Sequence, residues 1–458
     1  MTQFDKNKVV NIFLKIYTFL LLIVVLYTIY RMSVYYFNSD DIEIILDKYL
    51  KYLIISFILF LIFSISLKLN YNIKQNLVLI FTSTITTLYV LEIFLAISFP
   101  ELRSNQLKNI DNKNKLIKYQ NFIKKKIYPF DVINKKFNHD NLKIYPLSYI
   151  SNIDTFLCNE TGKDIFYKSD KNGFRNKNTH WYQKNIELLL IGDSFVHGAC
   201  EDNNNTIANF LRKKNSSVIN LGLGGAGPLK EFAIFVEYAP IIKPKNVIWF
   251  YSEGTDLTKD LRGEKKNMNL INYLESGYSQ NLINNQIKLK PKQVSFIENR
   301  LSEKINLKKI KKNEFIGINK KITYLLEQAR ILRLWNIRTL VSSFTKIDIK
   351  KVDPLFFELI ENVNLRLKDW GGKLYFVYMP EARRYENHLN RFILKGKFRS
   401  KDFIINKIKS MNIEVIDVDS DIFSKEQNPL SYFNKMNVHY NATGYKLIAT
   451  EIFNKVQN

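Results

Sequence analysis

The stretch Ile186-Glu-Leu-Leu-Leu-Ile191, running straight into Gly192-Asp193-Ser194-Phe195, decides how this chain is read. A short, almost wholly apolar run cut off by turn formers is the mark of a strand buried on both faces, as in parallel sheets. The same punctuation recurs downstream. Thr206 to Lys214 reads as helix, Ser217 to Leu221 as a second strand, Pro228 to Tyr238 as a helix with proline in its first turn, and Asn246 to Tyr251 as a third strand. Lys373 to Tyr378 and Ile413 to Asp417 add two more strands, and Ala442 to Val456 a closing helix. Strands alternating with helices predict an α/β fold with a parallel sheet covered on both sides. The Lys- and Asn-rich residues from about 257 to 352 read as a charge-bearing helical insertion between the third and fourth strands.

Working outward toward the N-terminus, the composition changes. Hydrophobic residues make up 46% of the 458-residue chain, but the first hundred residues hold its long apolar runs. Three of these predict transmembrane helices: Val9 to Tyr30, Tyr52 to Leu67 and Leu77 to Phe99, the last stopping at Pro100. Lys51 and Lys68 bracket the short middle run and can reach the headgroups. No small-residue cleavage site follows the first run, where Tyr-Ile-Tyr-Arg stands instead, so it reads as an uncleaved span. Glu92 falls inside the third run, where a carboxylate calls for a partner, and a packing role on another helix is expected. The domains are thus 1–100 in the membrane, 101–150 as a basic juxtamembrane connector, and 151–458 as the α/β domain. The acidic first loop, with Asp40, Asp41, Glu43 and Asp47, favours an extracytoplasmic α/β domain. The Lys- and Arg-rich stretch from Arg103 to Lys126 argues the other way.

The formal charge of +25 invites a nucleic-acid reading, which is rejected. Lys is spread along the whole soluble part beside Asn and Ile, and no zinc-finger or RNA-binding signature accompanies it. Two cysteines, Cys158 and Cys200, exclude a disulfide scaffold and a Cys-rich metal site. In an oxidising compartment they can form one bridge, tying the segment before the first strand to the region after Ser194. No metal and no cofactor is called for.

In open parallel sheets ligands bind beyond the carboxyl ends of the strands. The first such loop delivers Ser194 between strand and helix, with its hydroxyl at the site and backbone N–H groups nearby, as a nucleophile requires. The second is Asn220-Leu-Gly222-Leu-Gly224-Gly225-Ala-Gly227-Pro228, whose glycines let backbone approach a ligand. Gly222, Gly224 and Gly227 also match the dinucleotide pattern, which keeps a dinucleotide-binding protein as an alternative. The third loop is Glu253-Gly254-Thr255-Asp256. Of the five histidines, His439 in Val438-His439-Tyr440-Asn441 stands at a loop-to-helix junction suited to a base, while His197 lies only three residues after Ser194.

Together with Asp170-Lys-Asn-Gly173-Phe174-Arg175 ahead of the first strand, these blocks resemble the SGNH or GDSL hydrolase family over residues 151–458. The resemblance implies a flavodoxin-like three-layer α/β/α sandwich and a Ser–His mechanism. Ser194 would attack an ester carbonyl and His439 would carry its proton to the leaving alcohol. The oxyanion would be held by the N–H groups of Ser194 and Gly225, with Thr255 nearby. Two departures accompany it. Thr255 stands where the family has an asparagine donor, and Asn437 and Met436 stand where it often has an aspartate to hold the imidazole. Asp193 and Asn437 are the supports offered in its place, unless another carboxylate serves. The expected function is a membrane-anchored serine esterase or O-acyltransferase acting on acyl groups, such as acetyl, of a surface glycan. The alternative of a different class is a catalytically degraded binding or assembly module.

Overall fold

The computed structural model describes residues 3–38, 49–98, 112–130, 144–214, 216–303, 331, 333–345, 352–386, 398, 400–434, 436 and 438–457. The chain divides into two units, one of Met1–Ser104 with Tyr324–Arg338, the other of Asn105–Thr323 with Thr339–Asn458.

The first unit is helical: α1 (Gln3–Asn38), α2 (Lys51–Ser66) and α3 (Tyr71–Ser98). Among the described residues, α1 and α3 alone contain stretches long and apolar enough to cross a membrane, Asn7–Ser33 and Tyr71–Ser98. The expectation of three spans is corrected here. At 1.5 Å per residue the 16 residues of α2 reach roughly 24 Å, short of a hydrocarbon layer of about 30 Å. Val10, Leu14, Leu21, Phe63 and Val78 pack these helices together. Many other large apolar side chains, including Phe19, Leu26, Ile80 and Ile97, face outward. Glu92 is fully buried, and its carboxylate accepts from the N–H groups of Asn336 and Ile337 and from Asn336 Nδ2 at 2.9–3.0 Å. Asn336 and Ile337 open the helix Trp335–Thr345, so the carboxylate satisfies donors that a helix start leaves unpaired. A stretch of the insertion thereby belongs to this unit.

The second unit begins with α4 (Asn112–Lys124) and a small sheet of β1 (Ile127–Pro129), β2 (Asp154–Cys158) and β3 (Ile165–Lys168). β1 runs parallel to β2, and β3 antiparallel to it. The described residues of the stretch expected as a connector, 112–130 and 144–150, contribute to the second unit. Tyr119, Tyr128, Phe130, Leu147, Tyr149 and Ile150 are buried in the main core.

The main sheet follows, built from β4 (Leu188–Ile191), β5 (Val218–Asn220), β6 (Asn246–Ser252), β7 (Lys373–Met379) and β8 (Glu414–Asp417). Every pairing is parallel, in the order β5-β4-β6-β7-β8. That is the doubly wound 2-1-3-4-5 arrangement, with a switch point beside β4. β4, β5 and β6 are buried at every position, which is why they read as unbroken apolar runs. The helices are α5 (Ser194–His197), α6 (Ile207–Arg212), α7 (Pro228–Ile242), α8 (Pro354–Leu367), α9 (Ser400–Lys409) and α10 (Ala442–Gln457). Two core clusters line opposite faces of the sheet. α7, α8 and α9 contribute to one, α6 and α10 to the other. Within the insertion, residues 282–303 form a helix whose Leu289, Ile297 and Leu301 enter the first cluster.

Candidate active site

β4 ends at Ile191, and Gly192 leaves room for the turn: a Cβ there would lie 2.5 Å from Val196 Cγ2. Asp193 then caps α5, its carboxylate accepting from Phe195 N at 2.9 Å. Ser194 occupies the first position of that helix. The other end of α5 is held by the lead-in motif. Arg175 donates to the carbonyls of His197, Gly198 and Glu201, while the buried Asp170 ties Asn172, Phe174, Asn176 and Trp181 into one hydrogen-bonded turn.

His439 comes from the loop before α10, fixed by the Phe433–Tyr440 bridge and by Asn434 N donating to His439 O at 2.8 Å. Its Nε2 is 2.9 Å from Ser194 Oγ, and its ring meets Phe195 edge to face at 5.2 Å. The far side of the imidazole is occupied by Glu160, whose Oε2 is 2.8 Å from Nδ1. An ionised carboxylate can only accept, so Nδ1 carries the proton and Nε2 is left to receive that of the serine. Asn434 Nδ2 also donates to Glu160 Oε2 at 2.6 Å, and Asn434 Oδ1 accepts from Met436 N and Val438 N. Neither Glu160 nor Asn434 was among the residues singled out from the sequence. Glu160 lies in the turn between β2 and β3, two residues after Cys158. Cys158 is bonded to Cys200, just past α5.

The other candidates fall elsewhere. Asp193 is buried and engaged as the cap of α5 rather than hydrogen-bonded to the imidazole. Burial pushes its carboxyl up to about 6, opposed by the Phe195 N–H and by His439. Asn437 lies outside the described residues. Thr255 Oγ1 sits 3.3 Å from Ser252 Oγ and 3.4 Å from Asp256 Oδ1, so its single O–H is directed at the strand end. Gly225 is exposed at the tip of the glycine loop with φ +76°, a conformation that favours glycine.

His197 is buried beside Phe130 and Tyr167, and its Nδ1 accepts from Gly224 N at 3.3 Å. Desolvation, helped by the nearby Arg175 charge, holds it down to about 3, so it remains a neutral acceptor under the loop. Gly222 passes so close to α5 that a Cβ would lie 2.5 Å from His197 N. At the start of α7, Gly227 N, Leu229 N and Lys230 N all donate to Glu264, a carboxyl that burial pushes up to about 7. A dinucleotide would need those same donors for its pyrophosphate. This internal pairing weighs against the dinucleotide alternative. Below the loop, Glu231 and Asp256 are fully buried, and desolvation raises both well above the carboxylate range.

No family model matches the chain, and neither does any curated protein. Solved structures resemble it at low identity. A protein assigned to the G-D-S-L lipolytic family from Desulfitobacterium hafniense shares 13% identity, with 58% of this chain and 98% of that one covered, at a TM-score of 0.32. The lipase/acylhydrolase of Enterococcus faecalis shares 12%, with 59% and 94% covered and a TM-score of 0.31. A GDSL-like lipase of Bacteroides thetaiotaomicron shares 11%, with 59% and 88% covered and a TM-score of 0.30. The strand order and the arrangement around Ser194 stand independently of these likenesses.

Proposed function

We propose that the chain is an SGNH-type serine hydrolase or acyltransferase acting on ester bonds. The observation that carries this reading is the continuous relay from Glu160 through His439 to Ser194, with contacts of 2.8 and 2.9 Å. Ser194 Oγ attacks the ester carbonyl while His439 Nε2 takes its proton. The imidazolium is stabilised by Glu160 and returns the proton to the leaving alcohol. Water or an acceptor hydroxyl, activated by the same nitrogen, then releases the acyl group. Ser194 N and Gly225 N are the oxyanion donors in this scheme, each worth about 3 kcal/mol in comparable sites. Thr255 is left a minor part, because its hydroxyl has acceptors on the strand end.

The outward apolar surface of α1 and α3 supports anchoring in a bilayer. The Cys158–Cys200 bond supports an extracytoplasmic catalytic domain, since such bonds persist in oxidising compartments. An acyl group, acetyl in the first instance, on a surface glycan is the proposed substrate, measured as acetate released from O-acetylated polysaccharide. The degraded-module alternative drew on Thr255 in place of the asparagine donor and on an imidazole lacking a carboxylate, and Glu160 removes the second ground. A fluorophosphonate probe should label the full-length protein and fail on Ser194→Ala. Folded wild type that takes no label would sink the proposal.

A further inference from the structure

We infer that the Cys158–Cys200 bond is the positioning device of the Glu160–His439 contact, so that turnover at Ser194 requires the oxidised pair. This rests on the function proposed above. Glu160 belongs to the small sheet's β2–β3 turn, not to the main sheet that positions Ser194 and the His439 loop. The turn is polar and partly exposed. Gly162 N donates to Asn159 Oδ1 and Asn159 Nδ2 to Asp164 Oδ1 within the turn, and the partly exposed Lys118 of α4 pairs with Asp164 at 2.6 Å, away from α5. Among the described residues, its non-covalent link to the segment after α5 is the pair Lys163–Asp202, with side chains 65% and 52% exposed. An exposed pair of that kind contributes little. Among the described residues, Glu160 accepts from Asn434 Nδ2 and faces His439 Nδ1, the partners whose alignment it serves.

The covalent link is of another order. β2 ends at Cys158, and Glu160 follows two residues later. Cys200 lies two residues past Gly198, the αL cap of α5, in a turn that Arg175 pins through Gly198 O and Glu201 O. The bond thus joins the acid's turn directly to the end of the nucleophile's helix, with Cα atoms 5.5 Å apart. Catalytic geometry tolerates errors of only about 0.5 Å, and a 1 Å displacement costs about 100-fold. A dithiol that donates two electrons and two protons would cleave the S–S bond, leave thiols at both cysteines and close to its own disulfide. Glu160 would then be placed by the β2–β3 turn and its non-covalent contacts, without the covalent tie to the end of α5.

The test compares full-length wild type, Cys158→Ser/Cys200→Ser, Glu160→Gln and the triple variant on p-nitrophenyl acetate, with thermal unfolding to establish folding. Dithiol reduction of folded wild type serves as a second route should the double variant fail to fold. Breaking the bond is expected to lower kcat about 30- to 100-fold with KM within about threefold. In the Glu160→Gln background the same change should cost less than about twofold, because its target is already gone. Loss of equal size in both backgrounds, or no loss in either, overturns the inference while leaving the serine mechanism intact. Positioning can also be read without turnover, from the downfield imidazole N–H proton resonance of His439. Its loss in the bond-free protein supports the inference and its persistence overturns it, whether or not any ester is cleaved.

Discussion

The loops that leave β4 and β5 invite comparison, because both place unusual residues at the carboxyl ends of neighbouring strands. After β4, backbone and carboxylate groups are spent on a short helix whose Ser194 hydroxyl remains directed at His439. After β5, the glycine run turns its donors inward: Gly222 N to Asn220 Oδ1, Gly224 N to His197 Nδ1 and Gly227 N to Glu264. Only Gly225 is left exposed at its tip. Glycine content alone therefore says little about a ligand. What counts is whether the donors already have internal partners, and in this loop most do.

The comparison can be broken at several points. Ser194→Ala should lower kcat/KM for aryl esters by roughly 10⁴-fold or more, and a smaller loss would shift the chemistry away from the β4 loop. Glu160→Gln keeps the shape but loses the charge facing the imidazole, and kcat should fall by about 10²- to 10⁴-fold in steady-state assays. On the β5 side, His197 is neutral in the fold down to about pH 3 and titrates near 6.5 when unfolded. Its contribution is complete above pH 6.5 and fades as pH falls, at about 1.4 kcal/mol per pH unit. Wild type should thus lose stability relative to His197→Gln between pH 6 and 4, and parallel curves would show that the ring is not held neutral. Glu264→Ala would strip the start of α7 of its acceptor, lowering unfolding free energy by about 2–3 kcal/mol in denaturant titrations. Wild type should show no calorimetric signal with millimolar NAD, since those donors are occupied. The smallest effect is expected of Thr255→Val, within about threefold in kcat, and a large loss would restore it as an oxyanion donor.

The parallel sheet was legible because β4, β5 and β6 are buried on both faces and so carry no polar interruptions. The small sheet was not. β1 is three residues long and ends in Pro129, while β3 alternates buried and exposed positions over only four residues. Ser194 and His439 stood out by their place at strand and helix ends. Glu160 could not, because Asn159-Glu160-Thr161-Gly162 has the composition of an ordinary surface turn. The one clue was Cys158 beside it, once paired with Cys200 beyond Ser194. Asn434 was equally hidden, since its task is to shape a loop rather than react. The middle apolar run was read as a span despite its shortness, because Lys51 and Lys68 bracket it, and its 16-residue helix falls short all the same.

The chain order of the relay carries a consequence for biosynthesis. Glu160 precedes the first strand of the main sheet, Ser194 follows that strand, and His439 comes after β8 has ended at Asp417. A growing polypeptide can complete every strand and still lack its proton acceptor. Under the proposed mechanism the chain is consequently born inert and acquires reactivity only when the segment carrying His439 docks. A chain truncated after residue 430 should keep the sheet, as read by circular dichroism, and remain blind to fluorophosphonate.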